Sequence, residues 1–142
     1  MPHAVETIAA YFETLTPESL ARLGEVYTDD AVFKDPFNEV RGVPAIQGIF
    51  RHMYENLHAP RFVVTGRVAD GAQVFLTWDF RFRFRKFSPE VEQVIRGASH
   101  LQLADDGRIR AHRDYWDAAE ELYEKLPVVG GLMRWLKRRA NS

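Results

Sequence analysis

The chain contains no cysteine. That absence excludes disulfide bridges, thiol nucleophiles and cysteine-ligated metal together. It also lacks an excess of either charge. A net charge of −1 over 142 residues leaves no global field that would favour nucleic acid or an acidic membrane surface. No apolar run approaches the roughly 20 residues needed to span a bilayer. Met1-Pro2-His3-Ala4-Val5-Glu6 has no basic segment leading into an apolar one, so no secretory signal is read and a cytoplasmic protein is expected. Internal repeats and low-complexity linkers are missing as well. No His-x-x-x-His or comparable ligand spacing occurs, so no metal is expected.

What is present is an ordinary globular composition, 46% hydrophobic and 27% charged, in a length that fits one domain with a real core. Val5, Ile8, Ala9, Phe12 and Leu15 recur at helical spacing. Thr16-Pro17-Glu18 reads as a helix restart, with Thr16 as N-cap and Pro17 at the first position. Leu20, Leu23, Val26 and Tyr27 then form a second helical stripe that Asp29-Asp30 ends, and residues 32–34 read as a short strand. Pro44 can open a third helix that buries Ile46, Ile49, Phe50, Met53, Tyr54 and Leu57.

After Pro60 the period changes from helical to two. Strands are expected over Phe62–Ala69, Val74–Phe84, Val91–Leu103 and Ile109–Trp116, with turns at Asp70-Gly71, Ser88-Pro89 and Asp105-Asp106-Gly107. In the second of these, Trp78, Phe80, Phe82 and Phe84 alternate with Asp79, Arg81, Arg83 and Arg85, giving one aromatic face and one charged face. Helices first and antiparallel strands second predict an α+β fold. Asp117 with Glu120 can cap a last helix, stopped by Pro127. Residues 1–118 are expected to form the domain, and residues 119–142 a helical extension packed on it. The tail sets Val128, Leu132, Met133, Trp135 and Leu136 against four basic residues. Such a helix either covers its own domain, the simpler account, or lies on a membrane surface.

Two polar residues stand where chemistry rather than packing would put them. Tyr11 lies on the apolar face of the first helix. Asp35 sits in Phe33-Lys34-Asp35-Pro36-Phe37, where aromatic neighbours would raise its pKa. A raised carboxylate facing a phenol makes a base and acid pair. The plainer readings are a core tyrosine with a satisfied hydroxyl and an aspartate that shapes a turn. On the last strand, His112, Asp114 and Trp116 share one face, so the carboxylate can orient the imidazole. This pair can equally be structural. His100 has the opposite parity from Ser99 and is expected to face outward or a subunit interface. The basic stripe of Arg81, Arg83, Arg85 and Lys86 is read as a solvated or dimer-facing surface rather than a nucleic-acid site.

Tyr11-Phe12-Glu13-Thr14-Leu15 followed by Tyr27-Thr28-Asp29-Asp30-Ala31-Val32-Phe33-Lys34-Asp35-Pro36 resembles the NTF2-like superfamily, in particular its SnoaL-like and ketosteroid isomerase-like branches. The shared pattern is a helical tyrosine, an aromatic-x-Asp-Asp-Ala segment and an Asp-Pro pair, and the likeness covers roughly residues 5–117. It implies a cone in which a curved antiparallel sheet wraps over N-terminal helices, usually as a homodimer joined through the outer sheet face. It also implies Asp35 as the base and Tyr11 as the donor to a developing oxyanion. The position of the isomerases' second acid falls on Ser99, a departure, since a serine is a weaker donor than a carboxylic acid. His112 and Asp114 would face the pocket, as in SnoaL-like cyclases. Trp78, Phe80, Phe82, Trp116, Phe50 and Phe33 would line it for a small apolar ligand. The activity implied is a cofactor-independent isomerase, lyase, cyclase or hydrolase. Because this superfamily carries many functions on one pocket, a ligand-binding protein or an interaction module is the alternative.

Overall fold

The computed structural model describes residues 2–86 and 89–121, and every structural statement below concerns these residues. The chain opens with helix α1 (Pro2–Glu13) and a 3₁₀ helix (Glu18–Glu25), followed by strands β1 (Tyr27–Lys34) and β2 (Glu39–Arg41). Helix α2 (Val43–Asn56) leads into β3 (Leu57–Asp70), β4 (Gln73–Phe84), β5 (Gln93–Leu103) and β6 (Ile109–Tyr115), and one short turn, α3 (Ala118–Glu121), follows. This is the expected α+β order. The sheet has six strands in the order β2-β1-β6-β5-β4-β3. All neighbours are antiparallel except β1 and β6, which run parallel.

Local chemistry accounts for the element boundaries. The Ser19 amide donates to Thr16 Oγ1 at 3.1 Å and the Thr16 amide to Ser19 Oγ at 2.9 Å, a reciprocal cap that starts the 3₁₀ helix as the Thr-Pro signal predicts. Pro44 stands in the first turn of α2, where its missing N–H costs nothing. The β3–β4 hairpin turns at Gly71-Ala72, with Gly71 at φ +59°. The α3 turn packs against β5 through the buried Glu121, which accepts from Arg96 Nε at 3.0 Å. The basic, amphipathic tail lies outside the described residues.

Several boundaries differ from the sequence reading, β2 being unanticipated and β5 beginning at Gln93 rather than Val91. Tyr27 does not end a helix. It begins β1, and Asp29 and Asp30 lie within that strand rather than stopping a helix before it. β3 starts at Leu57, five residues before the expected Phe62, passing Pro60 through an irregularity between His58 and Arg61 where Ala59 takes φ +51°.

α1, α2 and the inner sheet face enclose the core. Leu23, Tyr27, Ile46, Leu76, Leu101 and Ile109 are almost wholly buried there. Each large apolar side chain so placed contributes roughly 1.5–3 kcal/mol relative to exposure. The outer sheet face carries the other strand parity. Arg81 stands 3.7 Å from Asp79 and 3.8 Å from Glu92, Arg83 donates to the Glu90 carbonyl, and Arg85 donates to the Tyr54 carbonyl. Arg81, Arg83 and Arg85 of the basic stripe are thus engaged in local pairing.

Candidate functional site

Strand parity builds the site. Along β4, Trp78, Phe80, Phe82 and Phe84 all point inward and form one wall of a cavity of about 280 Å³. α2 supplies Ile49, Phe50 and Met53 opposite, and Phe33, Phe37 and Trp116 close one end. The rings pack on one another: Phe62 and Phe80 stack at 4.7 Å, Phe80 and Phe82 at 5.2 Å, and Phe37 meets Trp116 edge-on at 5.6 Å. The expected lining residues Phe33, Phe50, Trp78, Phe80, Phe82 and Trp116 all reach this space. Two carboxylates, Asp35 and Asp114, face it as well.

Asp35 is held by its own loop. Its Oδ1 accepts from the Phe37 amide at 2.8 Å and the Asn38 amide at 2.6 Å, while Asn38 Nδ2 reaches both oxygens at 3.1 Å. Pro36 sets up this turn, so the plainer sequence reading of Asp35 also holds. Burial raises its pKa, the donors from Phe37 and Asn38 pull the other way, and the charge of Asp114 raises it further. The net direction is upward.

Asp114 is held from β5 and from its own strand, β6. Ser99 Oγ on β5 donates to its Oδ1 at 2.5 Å, and His112 Nε2, two residues earlier on β6, stands 2.6 Å from that oxygen. Trp78 Nε1 on β4 donates to Ser99 Oγ at 2.9 Å. On the far side of the ring, His112 Nδ1 lies 2.6 Å from the hydroxyl of the fully buried Tyr27. The phenol has no other acceptor among the described residues, so it is assigned as donor to Nδ1, which leaves Nε2–H for Asp114. Burial, and next the charge of Asp114, push the Tyr27 pKa well up, so the phenol keeps its proton. Rings of Phe12, Tyr27 and Phe33 lie 4.6–5.9 Å from the imidazole and fix its plane. Both hydrogen bonds to Asp114 land on Oδ1, which leaves Oδ2 without a partner among the described residues.

A small recess of about 20 Å³ behind the main cavity is lined by Ser99, His112 and Asp114 together with apolar groups. The structure therefore brings together Asp35, Asp114, Ser99 and His112. It does not bring Tyr11 to them. The Tyr11 hydroxyl donates to the Ser19 carbonyl at 2.8 Å, and the side chain lines neither cavity. The expected Tyr11–Asp35 pair is not formed, because the cap at Thr16 and Ser19 places a backbone acceptor within reach of the phenol. A different tyrosine, Tyr27, enters the polar network, and the helical reading of its segment concealed it. Asn38, His52 and Asn56 at the cavity rim were also missed. His100 faces outward as parity predicts, stacked on Phe75 at 4.4 Å and 2.9 Å from Gln73 Oε1.

Gly97 makes room for this arrangement. It pairs with Trp78 across β4 and β5, and a Cβ there would lie 2.5 Å from the indole ring. Glycine lets the indole lie over the β5 backbone with its N–H on Ser99. A second groove, of about 500 Å³, crosses the outer sheet face over Lys34, Arg41, Arg113 and Tyr115. It is larger but lacks the aromatic enclosure, so the inner cavity is the candidate site.

A search of the curated proteins gives no match. Among solved structures, the fold matches a ketosteroid isomerase-like protein from Catenulispora acidiphila, solved with trimethylamine, at 17% identity, with 86% of this chain and 91% of that chain covered and a TM-score of 0.72. It also matches an epoxide hydrolase from M. tuberculosis, similar to LEH, at 21% identity, covering 94% and 92%, with a TM-score of 0.67. A protein from Shewanella putrefaciens assigned to the SnoaL-like polyketide cyclases matches at 19% identity, covering 86% and 97%, with a TM-score of 0.69. At these identities the likeness speaks to fold alone. The SnoaL-like domain model matches residues 8–112, from inside α1 to the buried histidine of β6, and the chain belongs to the SnoaL-like domain family.

Proposed function

We propose that this protein is a cofactor-independent enzyme that moves protons on a small, largely apolar molecule, as an isomerase, lyase, cyclase or hydrolase. The observation that carries this reading is the pair of carboxylates, Asp35 and Asp114, facing one aromatic cavity. A carboxylate of raised proton affinity takes a proton from the substrate, and a second group beside the cavity gives one back. Asp35 is the base, its proton affinity raised by burial. With Tyr11 outside the cavity, the His112–Asp114 pair is the acid partner, and Asp114 Oδ2 is the atom left open to a ligand among the described residues. Ser99 and His112 hold that carboxylate in place, while Tyr27 and Trp78 hold Ser99 and His112. The aromatic walls exclude water and grip a flat apolar body.

A second reading, ligand binding without turnover, is favoured by one feature. The oxygens of Asp35 are already occupied by its own turn. We further propose a homodimer joined through the outer sheet face, where Phe75 and Tyr115 stand 44% and 47% exposed.

One experiment separates these readings. Native mass spectrometry of the purified protein identifies a copurifying molecule and counts subunits, and that molecule is then assayed for turnover. Asp35→Asn is expected to lower turnover by about 10²–10⁴-fold while binding persists. Turnover that survives the substitution removes Asp35 as the base. Binding with no turnover in either form supports the second reading, and a monomeric mass rules out the dimer.

A further inference from the structure

The charge balance around the cavity narrows what it takes. Several carboxylates elsewhere pair with a guanidinium: Glu6 with Arg67 at 2.6 Å, Glu92 with Arg61 at 2.7 Å, Asp106 with Arg108 at 2.7 Å. Asp35 and Asp114 do not. Among the described residues no lysine or arginine lines the cavity that both face. The partners of Asp35 are amides. Those of Asp114 are a hydroxyl and an imidazole whose second nitrogen faces the Tyr27 hydroxyl. His52, at the rim, lies 3.9 Å from Glu55 and is held by Asn56. The walls are aromatic, and an aromatic face is itself the negative end of a quadrupole. A cavity with two acids, aromatic faces and, among the described residues, no lysine or arginine is complementary to positive charge on an apolar body.

We infer that the cavity binds an organic cation, a protonated or quaternary amine on a compact apolar skeleton. The ammonium group sits between Asp35 and Asp114, and the skeleton packs on Phe62, Phe80, Phe82 and Trp116. The cavity volume of about 280 Å³ suits a small amine. This ligand class rests on the reading above that the inner cavity is the ligand site. It deepens that reading by naming what the two carboxylates would recognise, because an ammonium between them relieves their mutual repulsion. A neutral substrate would leave that repulsion in place.

Calorimetric titration of the full chain with three isosteres tests this. They are phenyltrimethylammonium, tert-butylbenzene and benzenesulfonate, which share shape and differ in charge. The cation is expected to bind about tenfold or more tightly than the neutral compound, and the sulfonate weakest. Asp35→Asn should reduce the cation's affinity about tenfold and leave the neutral compound within about twofold. If that variant folds poorly, Phe80→Leu keeps both carboxylates and should weaken the cation more than the neutral compound. Equal or tighter binding of tert-butylbenzene overturns the cation inference and leaves the cavity as the ligand site. No binding by any of the three overturns both.

Discussion

The two carboxylates of the cavity are fixed in opposite ways. Asp35 is anchored within four residues of itself, by the amides of Phe37 and Asn38 and the Asn38 side chain. Asp114 is anchored across the sheet, in a chain of hydrogen bonds that runs from Trp78 through Ser99 to the carboxylate and on through His112 to Tyr27. The first is a property of a turn, and a short peptide could approximate it. The second exists only once β1, β4, β5 and β6 are in register. A local anchor can be lost with little effect on the fold. A distributed one ties the geometry of the site to the stability of the domain.

The largest difference between the two anchors should appear when each is removed. His112→Leu deletes the link between Tyr27 and Asp114 and strands the fully buried phenol without a partner. The expected loss is about 3 kcal/mol, combining a lost charge-assisted bond with an unsatisfied buried hydroxyl. Asp35→Ala removes only turn bonds and should cost about 1 kcal/mol. Urea denaturation of both variants measures the ratio. Equal losses would mean that the network around Asp114 contributes no more to stability than a turn does.

Gly97→Ala probes the same network without touching a polar group. The new methyl meets the Trp78 ring, so the indole must shift and its N–H must leave Ser99. About 2 kcal/mol of destabilisation is expected, as for other overpacked sites. Trp78 emission should move to the red as the indole is displaced toward water. An unshifted spectrum with unchanged stability would show that the Trp78–Ser99 bond is not what fixes the indole.

This contrast also explains what could be read from the sequence. The period-two run from Trp78 to Phe84 gave away the aromatic wall, because alternation is a direct imprint of a sheet with one buried face. Parity on β6 likewise placed His112 and Asp114 on one face. Asp35 was legible because its anchor is local and its neighbours, Pro36 and the flanking phenylalanines, advertise it. Tyr27 was not. Val26 and Tyr27 stand three and four residues after Leu23 and so extend its helical stripe, but the 3₁₀ helix ends at Glu25 and β1 begins at Tyr27. Tyr11 failed for a related reason. Its helical face was read correctly, since the side chain packs against the core. The cap that gave its hydroxyl an acceptor at Ser19 lies eight residues on, in a different element.

The smallest expected effect is the most specific to Asp35. Its proton affinity is higher in the folded chain than in the unfolded one, chiefly through burial. From about pH 4, the ordinary value for aspartate, up to its raised pKa, the folded state therefore holds more protons than the unfolded state. Stability falls as pH rises through that window. Asp35→Asn has no proton to lose, and its side-chain oxygen can still accept from Phe37 and Asn38. The difference in stability between wild type and variant should accordingly move in the variant's favour as pH rises from about 4, and level off above the raised pKa. Denaturation midpoints of the two proteins at a series of pH values read this directly. A difference that stays flat would mean the amide donors of the loop fully offset burial. Asp35 would then be a turn former held at its ordinary proton affinity, and Asp114 would remain the single cavity carboxylate with an oxygen left over for a ligand.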